Sequence, residues 1–153
     1  MPAAIEVNGQ NIPVTGIGEG AFKGQKKLKT VKIGKNVKTI GKNAFSGCKK
    51  LSSVTFGASV TAIGDSAFDG CTALSGITVP AKVAKIGKKA FNGCKKLKNI
   101  VFKTAKLTSS SVGSGAFKGI PKNAVIKCPK KVLKSYQKFL VKKGVPKTAT
   151  FKK

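Results

Sequence analysis

The tetrad A-F-x-G recurs five times in the 153-residue chain, as AFKG at 21, AFSG at 44, AFDG at 67, AFNG at 90 and AFKG at 116. The Phe residues are Phe22, Phe45, Phe68, Phe91 and Phe117, spaced 23 residues apart except for the last interval of 26. A fixed period of this length is the mark of a stacked array in which each unit contacts only its neighbours. Aligned on Phe, the units read IGEGAFKGQKKLKTVKIGKNVKT, IGKNAFSGCKKLSSVTFGASVTA, IGDSAFDGCTALSGITVPAKVAK and IGKKAFNGCKKLKNIVFKTAKLT, and a degenerate fifth, GSGAFKGIPKNAVIKCP, follows. The period also disposes of a competing motif. GIGEGAFKG, residues 16–24, has the G-x-G-x-x-A spacing of a dinucleotide-binding turn. Its Gly18 recurs as Gly41, Gly64 and Gly87, and no strand–helix–strand unit of ~30 residues follows it. These glycines therefore belong to the repeat.

Each unit carries L-x-x-V-x-I or its equivalent: Leu28, Val31, Ile33; Leu51, Val54, Phe56; Leu74, Ile77, Val79; Leu97, Ile100, Phe102. The alternation in its second half predicts a short strand with one face buried. The A-F pair is expected on a brief helical turn. The Gly that follows (Gly24, Gly47, Gly70, Gly93, Gly119) suits a left-handed cap. Val37, Val60 and Val83, each three residues before Ile40, Ile63 and Ile86, return the chain across the far side. One such unit buries too little to fold alone, and a stack joins the strands into a parallel sheet.

The ends read as caps. AIEVNGQNIPVTG predicts a strand, an Asn8-Gly9 turn and a short return, with Ile5 and Val7 in the strand places of a modified first unit and Val14 and Ile17 in its V-x-x-I places. PKKVLKSYQKFLVKKG predicts one helix, opened by Pro129 and ended by Gly144 and Pro146, with an apolar stripe of Val132, Leu133, Tyr136, Phe139 and Leu140. A basic amphipathic helix can also lie on an anionic membrane; the reading preferred here is a lid on the last repeat. TATFKK suggests a last short strand.

The units IGKNAFSGCKKLSSVTF and IGDSAFDGCTALSGITVP resemble the BspA-type leucine-rich repeat, a 23-residue class of bacterial surface proteins. The resemblance runs over roughly residues 5–145. It implies an α/β solenoid: a right-handed leucine-rich-repeat coil with a short parallel β-sheet on one face, brief helical turns on the other and a C-terminal capping helix. It also implies a secreted or cell-surface binding or adhesion module, with no catalytic residues to transfer. The expected organisation is a single domain, with a cap at 1–16, four repeats over 17–112, a degenerate fifth over 113–128 and a helical cap and tail over 129–153. MPAAIEVNGQ lacks the charged and apolar regions of a secretory signal, so the expectation is a fragment or mature segment of a surface protein.

Composition narrows the chemistry. The 31 basic residues, all Lys, face 4 acids, for a net charge of +27. Such a charge attracts polyanions, yet without Arg the chain lacks the bidentate fork that reads bases, so sequence-specific nucleic-acid binding is not expected. Cys48, Cys71 and Cys94 share one repeat position that Gln25 and Ile120 also fill. This argues for a packed column of reduced thiols rather than disulfides, and Cys128, in the place of Val79, is assigned to the core as well. With no His and no C-x-x-C pair, no metal site is expected, and no cofactor either. Asp65 and Asp69 flank one A-F turn. Paired carboxylates can hydrolyse glycosides, but Asp69 stands where other units carry Lys23, Ser46 and Asn92, so the chain is read as a non-enzyme.

Two surfaces remain as candidate sites. The first is the outward strand strip, Lys29, Thr30, Lys32, Ser52, Ser53, Thr55, Ser75, Thr78, Lys98 and Asn99, on the concave face that solenoids use for binding. Its expected partner is a protein or polysaccharide at the cell surface. The second is a lysine rail, Lys26, Lys27, Lys49, Lys50, Lys95 and Lys96, interrupted by Thr72 and Ala73, which suits an anionic polymer such as teichoic acid, a glycosaminoglycan or, more weakly, nucleic acid. A purely structural end-cap or spacer is the third reading. No Lys occurs between Lys50 and Lys82, leaving a near-neutral waist between basic ends. No apolar run is long enough to span a membrane, and a monomer is expected.

Overall fold

A computed structural model describes residues 4–7 and 10–153, with side chains from residue 13 onward. The strands are β1 Ala4–Val7, β2 Gln10–Pro13, β3 Gly16–Ile17, β4 Thr30–Lys32, β5 Thr39–Ile40, β6 Ser53–Thr55, β7 Ala62–Ile63, β8 Gly76–Val79, β9 Lys85–Ile86, β10 Asn99–Phe102, β11 Val125–Lys127 and β12 Thr150–Lys152. A 3-10 turn over Lys130–Val132 leads into the one α-helix among the described residues, α1 Leu133–Lys142.

Two parallel sheets run the length of the stack. The larger, in the order β12-β11-β10-β8-β6-β4, contains the L-x-x-V-x-I strands. Its register follows the repeat: Val31 lies beside Val54, and Ile77 beside Ile100 and then Ile126. The smaller, β3-β5-β7-β9, is made by the V-x-x-I return segments, with Ile17, Ile40, Ile63 and Ile86 in one row. These strands of two residues are too short for a pattern of alternation to announce them, and only stacking makes them a sheet.

The expected N-terminal strand and return strand form, but not as the strand of a first stacked unit. β1 pairs antiparallel with β2, Ala4 opposite Pro13 and Val7 opposite Gln10, in a two-stranded sheet of its own. It does not extend the larger parallel sheet, whose first strand is β4. Two residues separate β1 from β2, and a connection that short joins only antiparallel neighbours. The Asn8-Gly9 turn itself and the side chains of Ile5 and Val7 lie outside the described residues. Ile17 does take the expected place, beside Ile40.

The A-F segment forms a run of turns rather than a continuous helix. Ala44 N donates to Gly41 O, Ser46 N to Asn43 O and Cys48 N to Phe45 O. The alternate N–H groups point to the next coil: Phe45 N donates to Ala67 O at 2.8 Å and Phe68 N to Ala90 O at 2.8 Å. Left-handed residues allow this alternation. The Gly after A-F has φ between 67° and 80° in all five units (Gly24 70°, Gly47 73°, Gly70 69°, Gly93 67°, Gly119 80°). A second left-handed column passes through Gly20, Asn43, Ser66, Lys89 and Gly115. The Gly of I-G answers to space instead: a Cβ on Gly64 would lie 2.7 Å from the carbonyl carbon of Gly41 in the coil before.

The core is built of columns. Phe22, Phe45, Phe68, Phe91 and Phe117 stack with centroids 5.1, 5.1, 5.3 and 5.5 Å apart and planes within 10° of parallel, an offset-stacked arrangement. Four of these rings are fully buried. Phe22, at the end of the column, is half-buried and stacks on Phe45 alone. The thiols form a second column: Cys48 Sγ donates to Phe22 O at 3.0 Å, Cys71 Sγ to Phe45 O at 3.2 Å and Cys94 Sγ to Phe68 O at 3.3 Å. All four cysteines are free and buried. Burial pushes the Cys71 thiol up to about 12, the neighbouring Cys48 adding to the shift, and raises Cys94 for the same reason.

The last coil is closed by α1. Tyr136, Phe139 and Leu140 are buried, and Tyr136 meets Phe102 edge-on at 5.6 Å. Tyr136 Oη accepts from Leu107 N and donates to Thr104 O, which satisfies both its hydrogen-bonding roles under the lid. Lys143 O accepts from Phe117 N at 3.0 Å, so the helix end takes the place of another coil. β12 adds a final parallel strand beside β11.

Two outcomes follow for stability. Gly64→Ala should destabilise the protein by at least about 2 kcal/mol, as overpacking against backbone does, while Ser66→Gly, two residues away, should stabilise it by roughly 0.5 kcal/mol through relief of a left-handed side chain, less the added chain entropy; urea midpoints measure both. Because the folded-state pKa of Cys71 is raised, its contribution is fully present below pH 9 and is lost as pH rises from 9 toward 12. A Cys71→Ala protein should show a shallower fall in stability than the parent over that interval, read from denaturation curves at each pH.

Candidate functional site

The outward strip on the large sheet divides in two when its hydrogen bonds are traced. Ser52 Oγ donates to Lys29 O at 3.1 Å and Ser75 Oγ to Ser52 O at 3.4 Å. These two hydroxyls, read from the sequence as ligand contacts, are engaged in joining coils. The residues aligned across the outer face are Thr30, Ser53, Gly76 and Asn99 in one row, with Lys32 and Thr55 beginning the next and the same offset carrying it on to Thr78 and Val101. Thr30, Lys32, Ser53, Thr55, Thr78 and Asn99 are exposed, as are Lys29 and Lys98 at the strand entrances.

The strip is not flat at its middle. β4 and β6 pair from Thr30↔Ser53 to Lys32↔Thr55, whereas β6 and β8 pair at Ser53↔Gly76. Beyond that point a groove of about 550 Å³ opens at the C-terminal ends of the two strands. Buried Val54 and Pro80 and half-buried Phe56 form its floor, Thr55, Thr78, Ala58 and Ala81 its sides, and Lys82 and Lys103 its rim. A shallower hollow of about 200 Å³ continues over Gly76 toward Asn99 and Val101. The hollow exists because Gly76 has no side chain.

Column arithmetic explains the groove. One position carries Lys35, Ala58, Ala81 and Thr104 in successive units, so its two middle members are small. Phe56 belongs to the column Ile33, Phe56, Val79, Phe102, in which the other three are buried. Phe102 is covered by Tyr136 of α1; Phe56 meets Phe68 edge-on at 5.7 Å on its inner side and faces the groove on the other. The sequence reading missed Phe56, Pro80, Ala81, Lys82 and Lys103 as site residues. Its one pointer to the place was the absence of Lys between residues 50 and 82.

The lysine rail is exposed throughout. Lys26, Lys49 and Lys50 surround a depression of about 520 Å³ floored by Gly24 and Gly47. Lys95 and Lys96 lie farther along the stack, beyond Thr72, whose Oγ1 donates to Lys49 O. The three acids whose side chains are described are engaged elsewhere. Asp65 Oδ1 accepts from Lys88 N at 2.7 Å, Asp69 Oδ1 from Asn92 Nδ2 at 2.8 Å, and Glu19 pairs with Lys42 at 3.3 Å. Each of these contacts joins one coil to the next, so the two aspartates that sequence spacing brings to mind as a catalytic pair act in stacking.

Comparison with known proteins agrees with this architecture. The family model for the BspA type leucine rich repeat region matches residues 13–142 in six copies. The crystal structure of the T. pallidum leucine rich repeat protein is 30% identical with a TM-score of 0.72; the similarity covers 84% of this chain and 57% of that one, so the chain spans little more than half of its relative. A leucine-rich repeat protein from Bacteroides capillosus is 33% identical with a TM-score of 0.59, over 67% of this chain and 74% of the other. A leucine rich cell surface protein from Faecalibacterium prausnitzii shares the fold at 22% identity and a TM-score of 0.57, over 87% of this chain and 57% of the other. No curated protein sequence gives a significant match. With six copies of the family model covering most of the chain, the stacked coils have their class: the chain belongs to the BspA-type leucine-rich repeat family.

Proposed function

We propose that the protein is a non-enzymatic binding module of a bacterial cell-surface protein, holding a protein or glycan on the outer face of its large sheet. The observation that carries the reading is the contrast between the two kinds of polar residue on the chain. Ser52, Ser75, Thr61, Thr72, Asp65 and Asp69 are tied to neighbouring coils, while Thr55, Thr78 and Asn99 line a continuous depression in the strand face. Placement at the surface is carried over from the family, and the Faecalibacterium prausnitzii protein of the same fold is described as a cell surface protein. The shorter length relative to the T. pallidum protein makes this one module's share of such an activity.

A second reading has its own support. Three rail lysines converge on one depression, and the chain carries a net charge of +27 with a single ion pair among the described residues. An anionic polymer such as teichoic acid would be held there by lysine charges without sequence selectivity.

Two measurements separate the readings. With the protein immobilised and exposed to wall polymers, host glycans and host extracellular proteins, Ser53→Trp or Asn99→Trp should weaken the best binder by at least about tenfold, as blocking a contact centre does, and Lys85→Trp on the opposite sheet should leave it unchanged; equal binding by all three rejects the strand face. For heparin or polyphosphate, a contact using all six rail lysines should lose about 10³-fold in affinity between 50 and 200 mM salt. Replacing Lys26, Lys49 and Lys50 by Ala should flatten that slope, and a slope unaltered by the replacement rejects the rail.

A further inference from the structure

We propose that the groove between β6 and β8 takes an acidic peptide segment, with one aromatic or branched apolar side chain seated on Phe56 and Pro80 and the flanking carboxylates at Lys82 and Lys103. The inference rests on the strand-face reading and names the partner's chemistry. It starts from an exception in the repeat. Every other member of the Phe56 column is buried, yet Phe56 is half-exposed over the hollow left by Ala58 and Ala81. The regular pairing of the sheet lapses at the same place, after Ser53↔Gly76. Apolar floor, small side walls and a volume of about 550 Å³ match a site that encloses a side chain, since binding pockets of ~300–1,000 Å³ combine an apolar lining with few polar groups.

Charge selects the rest of the ligand. The groove lies in the waist of the chain, and neither Asp65 nor Asp69 lines it: their carboxylates bond to Lys88 N and Asn92 Nδ2 at the A-F turn. The charges left at the rim are the ammonium groups of Lys82 and Lys103. A net charge of +27 repels a basic partner and steers an acidic one. Lysine presents a point charge rather than a planar fork, so carboxylates at either side of the seated side chain are accepted without a fixed geometry. A saccharide fits less well. Each sugar hydroxyl taken from water needs a new partner, and the groove's side-chain hydroxyls are those of Thr55 and Thr78. An apolar side chain needs none and gains by leaving water.

The test uses the full chain, labelled with nitrogen-15, and an acetylated pentapeptide with one phenylalanine between two pairs of glutamates, at 150 mM salt. Saturable amide shifts should centre on Phe56, Ala81, Lys82 and Lys103. Affinity should fall about tenfold or more when serine replaces the peptide's phenylalanine, and likewise in the variants Ala81→Leu, which fills the hollow, and Lys82→Gln with Lys103→Gln. Ala81, Lys82 and Lys103 are exposed, so the variants keep the stack. The proposal is overturned by shifts that spread over the rail lysines and are equal for the serine peptide, by a response to an acidic or neutral oligosaccharide in place of the peptide, or by no saturable shift at millimolar peptide. If instead the Ser53→Trp and Asn99→Trp proteins lose a partner that Ala81→Leu retains, the groove is excluded while the strand face stands as the binding surface.

Discussion

The close approach of successive coils at the A-F turn holds the rest of the structure in place. There the N–H of each Phe but the last donates to the Ala carbonyl of the next coil at 2.8 Å, and the rings follow the backbone into a stack at 5.1–5.5 Å. That spacing demands a residue without Cβ at the I-G position, because a side chain on Gly64 would enter the backbone of Gly41. The thiol column depends on the same distance. Each Sγ reaches the Phe carbonyl one coil back, a contact that neither Gln25 nor Ile120 makes in the terminal units. Both parallel sheets keep the register of this layer as far as β11, since the interval that separates successive Phe residues, 23 and at the end 26, also separates paired residues on the two sheets.

Repeat arrays are legible in sequence where a column keeps its chemistry from coil to coil. Phe at 22, 45, 68, 91 and 117, Gly after it, and Cys at 48, 71 and 94 all announced their positions, and the lid and last strand were plain from the apolar stripe of residues 132–140 and from TATFKK. Columns that change residue type were silent. The left-handed place filled by Gly20, Asn43, Ser66 and Lys89 gives no pattern, because the backbone there is set by bonds to adjacent coils. The return strands of two residues are sheet only in company. The N-terminal strand and its return were legible, but Ile5 and Val7 were misplaced in the strand row of a first unit, because the short connection pairs β1 with β2 instead of with β4.

The candidate site was half visible. Exposed positions on the strand face follow from alternation, and Thr55, Thr78 and Asn99 were named from it. Nothing in a linear reading shows that Ser52 and Ser75 turn their hydroxyls onto carbonyls 23 residues earlier. The groove was hidden for a related reason. Ala58 and Ala81 are unremarkable in sequence and become neighbours only when the coils are stacked, and Phe56 is left open because no aromatic lid like Tyr136 reaches it.

The way α1 closes the array has a consequence for its length. Lys143 O receives the Phe117 N–H that a further Ala carbonyl would otherwise receive, so the terminator is docked by the same bond that joins any two turns. A whole 23-residue turn gained or lost between Phe45 and Phe91 leaves donors and acceptors matched on both sides of the junction. The gene can therefore lengthen or shorten by integral turns without redesign of its terminator, and the ruler so adjusted is the distance between the two lysine-rich ends across the neutral waist.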